Sequence, residues 1–392
     1  MSMNFAIKRL VNTPTGILPV TIEHERIPLP GGPVEPVSRL LFGPYFNAIC
    51  RFLSDNSHHA LIKVLSKHLG RVISVDEIDR VELISEKHGT LYQVIRLRVY
   101  LGGQICSLAV NVSAYPQQHA FLENEFCLLQ HLSNNFRSGF LPEPYLIGDS
   151  RYSDDRTDHL PLKLFIAEWF EDYHEFHLST QSDQNLPIIR VWDANSDNSL
   201  LNLKQTHSLY RSASAILTSY LDGRTFQQIY PWHHAAGDFV VKARKDEVDL
   251  RLITVRDYRC LLSPGSHFEN VRAAVVHFFL NATIRLRLDR FDGTGELAWA
   301  GPACLSGIIE GFLQAWTEKV QGYPHLPSDS DILDLLCSYD EEDWRFLAEA
   351  VMEDGRVEDD EMEFLKPLIA NHAIALRKAL LAKRFFACSV SE

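Results

Sequence analysis

The sequence is short of positive charge and of motifs built from cysteine. Its 392 residues hold 38 lysines and arginines against 51 aspartates and glutamates, which gives a formal net charge of −13. Because phosphate backbones bind basic surfaces, this balance argues against a nucleic-acid-binding protein. The seven cysteines show no Cys-x-x-Cys spacing, so we expect reduced thiols and neither a disulfide scaffold nor a zinc site.

Long hydrophobic runs are also missing. Nowhere do eighteen apolar residues follow one another, so no membrane-spanning helix is predicted and no membrane contact is expected. The hydrophobic content of 46% and the charged content of 23% are ordinary for a globular chain. A chain of this length buries a sizeable core and should hold more than one lobe. We therefore expect a soluble, cytoplasmic protein.

Changes of pattern along the chain predict four segments. Residues 1–70 form an extension with helices, and residues 71–170 alternate like strands in a small sheet-rich lobe. The helical spacing of apolar residues over 171–322 predicts a larger helical lobe. The pattern over residues 328–392 predicts a helical appendage that packs on that lobe or on a protein partner.

Finer features are predicted inside the extension and the helical lobe. In the extension, the prolines between residues 28 and 36 are expected to lie extended, and residues 39–55 and 58–69 are expected to form two helices. Within the lobe at 171–322, residues 179–185 and 193–198 are interpreted as two polar insertions that precede its first helix.

Two aspartates stand a short hairpin's length apart in the helical lobe. Asp238 precedes an apolar run, and Asp257 follows another at residues 252–255. Phosphoryl transfer needs two such carboxylates, one to orient the acceptor hydroxyl and one to hold magnesium against the nucleotide phosphates. A Gly-Asp before an apolar run is also an ordinary turn. The pair therefore predicts a site only with support from elsewhere in the chain.

That support lies upstream, in order along the chain. A helical pattern over residues 120–132 carries Glu125, Pro142-x-Pro144 predicts an extended segment, and residues 162–170 read as a strand with Glu168. With the two aspartates, this order resembles the aminoglycoside phosphotransferase and choline kinase-like branch of the protein-kinase fold, over roughly residues 85–320. The resemblance implies an α+β fold of two lobes. Its small lobe should hold a five-stranded antiparallel sheet with one helix between the third and fourth strands.

The resemblance also implies roles for single residues. Asp238 would be the catalytic aspartate and Asp257 the magnesium ligand, with ATP and Mg²⁺ as cofactors. The nucleotide side would be formed by Asn111, Glu125, Glu168, Phe170 and Lys242. Lys242 would place a cation near the phosphates or simply be solvated.

The chain departs from the family pattern at three positions. Asn111 stands where relatives place a lysine that pairs with the helix glutamate. Either the register of this strand is different, or the phosphate-binding cation is missing and Glu125 lacks its usual partner. Glu125 is equally well explained as a solvated glutamate on a helix face. Ala236 and Ala243 stand where relatives place a histidine and a metal-binding asparagine. Two functions remain open. One is a degenerate phosphotransferase that uses ATP and magnesium to phosphorylate a small hydroxylated acceptor, and the other is a pseudokinase that serves as a binding or scaffolding module.

The last segment invites comparison with a calcium-binding loop, because Gly355 stands six residues before Glu361. The first and third loop positions would then be Ala350 and Met352, which offer no carboxylate, so an EF-hand is excluded. The helix, Asp-Gly turn and helix resemble the unit of TerB-like tellurite-resistance domains. We expect a helical pair that packs on the lobe or on a partner.

Overall fold

The computed structural model describes residues 5–13, 16–29, 40–88, 92–151, 161–181, 184–192, 199–232, 237–262, 268–354 and 358–390. The chain divides into two compact units. The small unit comprises Met1–Asn135 and Pro142–Glu171, and the large unit comprises Phe136–Leu141 and Asp172–Glu392. The four predicted segments thus group into two units. The fold is of the α+β class, with an antiparallel-rich sheet and many helices.

A seven-stranded sheet is the centre of the small unit. Its strands are β1 Ala6–Thr13, β2 Gly16–Pro19, β3 Ile78–His88, β4 Gln93–Leu101, β5 Gln104–Ser113, β6 Pro144–Arg151 and β7 Pro161–Glu168. They lie in the order β2-β1-β3-β4-β5-β7-β6. From β3 to β6 every neighbouring pair is antiparallel. The helix Pro116–Asn135 lies in the chain between β5 and β6. The resemblance implied a sheet of five antiparallel strands with one helix after the third; β3 to β7 follow that order, but they belong to a larger sheet of seven strands.

Strand alternation positions the core of the small unit. Along β4, every second side chain from Gln93 to Leu101 is buried, as expected for a sheet whose two faces differ in polarity. Ile95, Leu97 and Val99 share one hydrophobic cluster with Tyr45 of the helix Phe42–Leu69, called the N-terminal helix below. That helix therefore covers one face of the sheet.

The N-terminal extension differs from the sequence prediction in two ways. Strand β1 pairs in parallel with β3, and β2 pairs with β1, so the first residues extend the sheet and are not a separate extension. The two predicted helices form one helix, Phe42–Leu69, in which His58 has a φ of 64°. This helix ends at Gly70, which adopts the left-handed conformation common at helix C-termini. The short helix Ile22–Glu25 precedes it, and most of the proline cluster lies outside the described residues.

The large unit combines short strands with long helices. Its strands are β8 Phe176–Gln181, β9 Gln184–Val191, β10 Ser199–Leu200, β11 Gln227–Ile229, β12 Phe239–Ala243, β13 Val248–Leu252, β14 Tyr258–Cys260, β15 Leu288–Arg290 and β16 Leu297–Trp299. Its helices are Leu203–Ser219, Phe268–Arg285, Cys304–Gly322, Asp329–Ser338, Glu341–Asp354, Asp359–Leu365 and Ile369–Val390. Strands β8, β9 and β10 form a sheet, so the described residues of the predicted polar insertion, 179–181 and 184–185, belong to two paired strands. The second insertion, at 193–198, lies outside the described residues.

Two helices of the large unit pack with their backbones close together at two glycines. A Cβ atom added to Gly311 would lie 1.9 Å from the carbonyl oxygen of Arg211, and one added to Gly307 would lie 2.6 Å from the carbonyl oxygen of His207. Only glycine fits such an approach of two backbones. The contact fixes the helices Leu203–Ser219 and Cys304–Gly322 against each other.

The C-terminal helices belong to the large unit and are joined to it by buried polar pairs. Nη1 of Arg285 lies 3.8 Å from Oε2 of Glu361, and Nη1 of Arg287 donates to Nδ1 of His372 at 2.8 Å. Burial and the nearby Arg287 lower the pKa of His372 to about 3, so the imidazole is neutral in the fold. Among the described residues, no helix is both long and apolar enough to cross a bilayer.

Candidate functional site

The predicted site residues are divided between the two units. Asn111, Glu125, Glu168 and Phe170 belong to the small unit, whereas Asp238, Lys242 and Asp257 belong to the large unit. Residues 233–236, which include His233, His234 and Ala236, lie outside the described residues.

Asn111 lies on the sheet face opposite the N-terminal helix. Its register neighbours are Val94 on β4 and Phe165 on β7. The ring of Phe165 contacts the ring of Phe126, with centroids 5.7 Å apart, so the helix Pro116–Asn135 packs on the same face. Asn111 itself is nearly buried, with 9% exposure. An amide at this position donates hydrogen bonds but carries no charge.

Glu125 and Glu168 are both held inside the small unit. Glu125 precedes Phe126 on the helix and is only 4% exposed, so it is not the solvated glutamate of an open helix face. Glu168 ends β7, and its Oε2 accepts from the backbone N–H of Glu143 at 3.4 Å. Phe170 follows in the segment that leaves the sheet. Glu168 thereby ties the end of β7 to the segment before β6.

Asp238 is enclosed and ion-paired. Its Oδ1 accepts from Nη2 of Arg256 at 2.6 Å, and its Oδ2 accepts from Nη1 of the same guanidinium. The side chain of Asp238 is 1% exposed, while that of Arg256 is 27% exposed. The backbone carbonyl of Asp238 also accepts from the N–H of Ile253 at 2.8 Å. A bidentate arginine–carboxylate pair is among the strongest of polar contacts, and it involves both carboxylate oxygens of Asp238.

Asp257 has a more open environment. It lies immediately before β14, which pairs with β11. Its Oδ1 accepts a hydrogen bond from the N–H of Tyr258 at 2.7 Å, and its Oδ2 lies 3.5 Å from Nε of Arg259. The side chain of Asp257 is 43% exposed. Since Arg256 precedes Asp257, the ion pair of Arg256 joins the two aspartate-bearing loops.

Lys242 has an acidic partner in its own unit. Its Nζ lies 2.9 Å from Oδ2 of Asp172, and both side chains are partly exposed. The lysine extends from β12, the strand that Asp238 precedes. In the structure, the ammonium group of Lys242 is therefore paired with Asp172 at the surface.

The two aspartates do not form a magnesium cage made of protein groups alone. Magnesium is usually held by one or two carboxylates together with water and phosphate oxygens, and the guanidinium of Arg256 binds both oxygens of Asp238. No cluster of three or more His, Cys, Asp or Glu side chains within the described ranges is placed to hold a metal. Asp257 alone offers a partly free carboxylate.

The sequence did not indicate Arg256, the residue whose guanidinium pairs with the carboxylate of Asp238. Its position next to Asp257 was visible in the sequence, but the direction of its side chain was not. The pairing joins residues 18 apart in the chain, and no short motif encodes it.

Comparisons with known proteins add little to this geometry. No protein-family model matches the chain, and no curated protein sequence matches it. A solved structure described as "Putative fructosamine-3-kinase" from Haemophilus somnus 129PT is similar with a TM-score of 0.24 and 11% identity, covering 80% of this chain and 96% of that chain. A TM-score of 0.24 does not establish a shared fold.

Proposed function

We propose that this chain is a binding module built on a protein-kinase-like fold and that it does not transfer phosphate. Of the two functions left open by the sequence, this is the pseudokinase. The observation that carries the proposal is the enclosed ion pair of Asp238 with Arg256. A carboxylate that must meet an acceptor hydroxyl has to be within hydrogen-bond reach of it, and the arginine takes that place.

The order of elements supports the kinase-like architecture. Five antiparallel strands enclose one helix in the chain order of the small unit. In the large unit, Asp238 precedes the β12–β13 hairpin and Asp257 precedes β14. This is the succession of elements on which the resemblance to phosphotransferases rests.

Three further residues support loss of catalysis. Asn111 supplies no positive charge in place of the usual lysine, Ala243 supplies no metal ligand, and Lys242 is paired with Asp172. In-line phosphoryl transfer depends on charge stabilisation by such groups.

A phosphotransferase is the second candidate, and the exposure of Asp257 favours it. The side chain of Asp257 is 43% exposed and stands directly after a hairpin, where a metal-binding aspartate is expected. In this alternative, Arg256 would release Asp238 when the acceptor binds.

ATP turnover and thermal shifts with ATP separate the two candidates. For the binding module, we expect any stabilisation by ATP to be the same with magnesium and with EDTA, and no acceptor to cause ATP consumption. Asp257→Ala should leave the shift unchanged. The matched control is Asp246→Ala, which removes an aspartate of the same unit with a 55% exposed side chain.

Catalysis would give a different pattern. ATP consumption by the wild type that is lost in both Asp238→Asn and Asp257→Ala, but kept in Asp246→Ala, would contradict the binding-module proposal. A magnesium-dependent gain in thermal shift that only Asp257→Ala removes would contradict it as well.

A further inference from the structure

The large unit contains a cavity of about 240 Å³ between the helix Leu203–Ser219 and the hairpin of β12 and β13. Neither Asp238 nor Asp257 lines this cavity, so it is not part of the candidate phosphotransfer site. Cavities for drug-sized ligands begin at roughly 300 Å³. The cavity therefore suits a smaller molecule.

One wall of the cavity is fixed by the close contact between two helices. The backbone carbonyl of Arg211 lies against Gly311, with no room for a Cβ atom between them. Gln314 follows Gly311 by three residues, which is about one helical turn, and it lines the same cavity as Arg211. A wall that is already ordered lowers the entropy that is lost when a ligand binds.

Asp249 also lines the cavity, but its charge is already neutralised. Its Oδ2 accepts from Nη2 of Arg244 at 3.1 Å, and its Oδ1 accepts from Nη1 of Arg251. Burial and then a hydrogen bond to Asp249 raise the pKa of Tyr173 to about 12, so its hydroxyl stays protonated and donates to Asp249 as well. Asp249 is therefore bound by three donors of its own unit and offers little to a ligand.

Arg211 and Glu247 are charged residues of the lining that keep hydrogen-bonding capacity. Nη2 of Arg211 lies 3.6 Å from Oε1 of Glu247, which is longer than a hydrogen bond from N–H to oxygen. In the part of the chain that the structure describes, no other group pairs with the guanidinium of Arg211. The two side chains are 37% and 69% exposed. A positive and a negative group therefore stand side by side at the cavity, each open to a further partner.

A ligand with a single charge does not match this pair. An anion on Arg211 is repelled by Glu247, and a cation on Glu247 is repelled by Arg211. A molecule that carries both charges gains from both residues. Phe140, Ile216 and Leu250 line the cavity with apolar carbon, which favours an apolar group on the same molecule.

We propose that this cavity binds a free amino acid with an apolar side chain. Arg211 donates to the carboxylate of the ligand, because the planar fork of a guanidinium matches that group. Glu247 accepts from the ammonium group, and the side chain of the ligand contacts Phe140, Ile216 and Leu250. The inference goes beyond the proposed function, since this site needs neither a nucleotide nor the two aspartates.

Calorimetric titration and thermal shift with L-leucine test the site, together with two analogues that each lack one charge. Isocaproate is leucine without the ammonium group, and isoamylamine is leucine without the carboxylate. Leucine should bind the wild type and stabilise it. Each analogue should bind at least about fivefold more weakly, because it leaves one charged residue of the pair without its partner.

Substitutions at the two charged residues should have opposite selectivity. Arg211→Met should weaken the binding of leucine and isocaproate at least about fivefold, and leave isoamylamine binding no weaker. Glu247→Gln should weaken leucine and isoamylamine about two- to fivefold, as for a largely exposed ion pair, and leave isocaproate no weaker. The matched controls are Arg345→Met and Glu349→Gln, which break an exposed pair at 3.1 Å outside the cavity in the same unit. Both controls should leave all three affinities unchanged.

Thermal melting without ligand shows which variants are folded. Glu247→Gln alters a largely exposed side chain, so it carries the test if Arg211→Met does not fold. No leucine binding to the wild type at about 10 mM, roughly ten times a Kd of 1 mM, would overturn the proposal. Equal binding of leucine and both analogues would overturn it, and so would unchanged leucine affinity in a folded Arg211→Met or in Glu247→Gln. Absence of leucine binding leaves the non-catalytic function intact, whereas ATP consumption contradicts that function and leaves the amino-acid site standing.

Discussion

Replacing Arg256 by methionine should destabilise the large unit more than replacing Asp238 by asparagine. Without the guanidinium, a buried carboxylate with a 1% exposed side chain loses its bidentate arginine partner, and breaking a buried ion pair in this way typically costs about 3–5 kcal/mol. Without the carboxylate, Arg256 keeps its 27% exposure to water and still meets an amide oxygen. That loss should cost about 1–3 kcal/mol.

The difference can be measured by urea denaturation followed by tryptophan fluorescence. Five of the six tryptophans lie in the large unit, and Trp232 is buried six residues before Asp238. The double variant Asp238→Asn with Arg256→Met should cost less than the sum of the single variants, because the two groups are in direct contact.

The opposite order of the two losses would refute the reasoning. A neutral Arg256→Met, together with a strongly destabilising Asp238→Asn, would mean that the carboxylate is stabilised by other groups. Independent, additive effects would mean that the pair does not form in solution. Either result would restore Asp238 as a carboxylate available to a substrate.

Two further predictions concern the packing of the large unit. The pKa of His372 falls from 6.5 to about 3 on folding, so protonation favours the unfolded chain below pH 6.5. Between pH 6.5 and about pH 5, the free energy of unfolding of the wild type should fall by about 2 kcal/mol, whereas His372→Gln should not show this loss. Urea titrations of both proteins at the two pH values measure the difference. The same pH dependence in both proteins would contradict a buried, neutral imidazole. Gly311→Ala should lower stability by about 3 kcal/mol or more, because the added methyl group meets the carbonyl oxygen of Arg211. Gly322→Ala, with nothing within 4 Å of its Cβ, is the control and should be near neutral in thermal melting.

The sheet of the small unit was predictable because its pattern is local. Alternation along Gln93–Leu101 and the Gly102-Gly103 turn define two strands and their connection within a few residues. Strand β1 was not predictable in the same way. Its residues 6–13 do not alternate clearly, and their partner on β3 begins at Arg80, more than seventy residues later. Parallel pairing over such a separation leaves no local signature.

The strands beside the two aspartates were predictable from the sequence, but the ion pair of Asp238 was not. Sequence order located Asp238 and Asp257 at the starts of β12 and β14. It did not reveal that Arg256 encloses Asp238, because an arginine beside an aspartate in the chain can point to either side.

The extra strands at the start of the chain also protect the sheet from aggregation. Without β1, the eleven-residue strand β3 would present its unpaired backbone groups along one edge, and long open edges recruit other chains. Strand β2 is now the edge, with four residues that end in Pro19, and a short strand closed by proline offers little to pair with. A fragment that begins after residue 20 would therefore expose β3, and we expect it to associate with itself even where the rest of the sheet is intact.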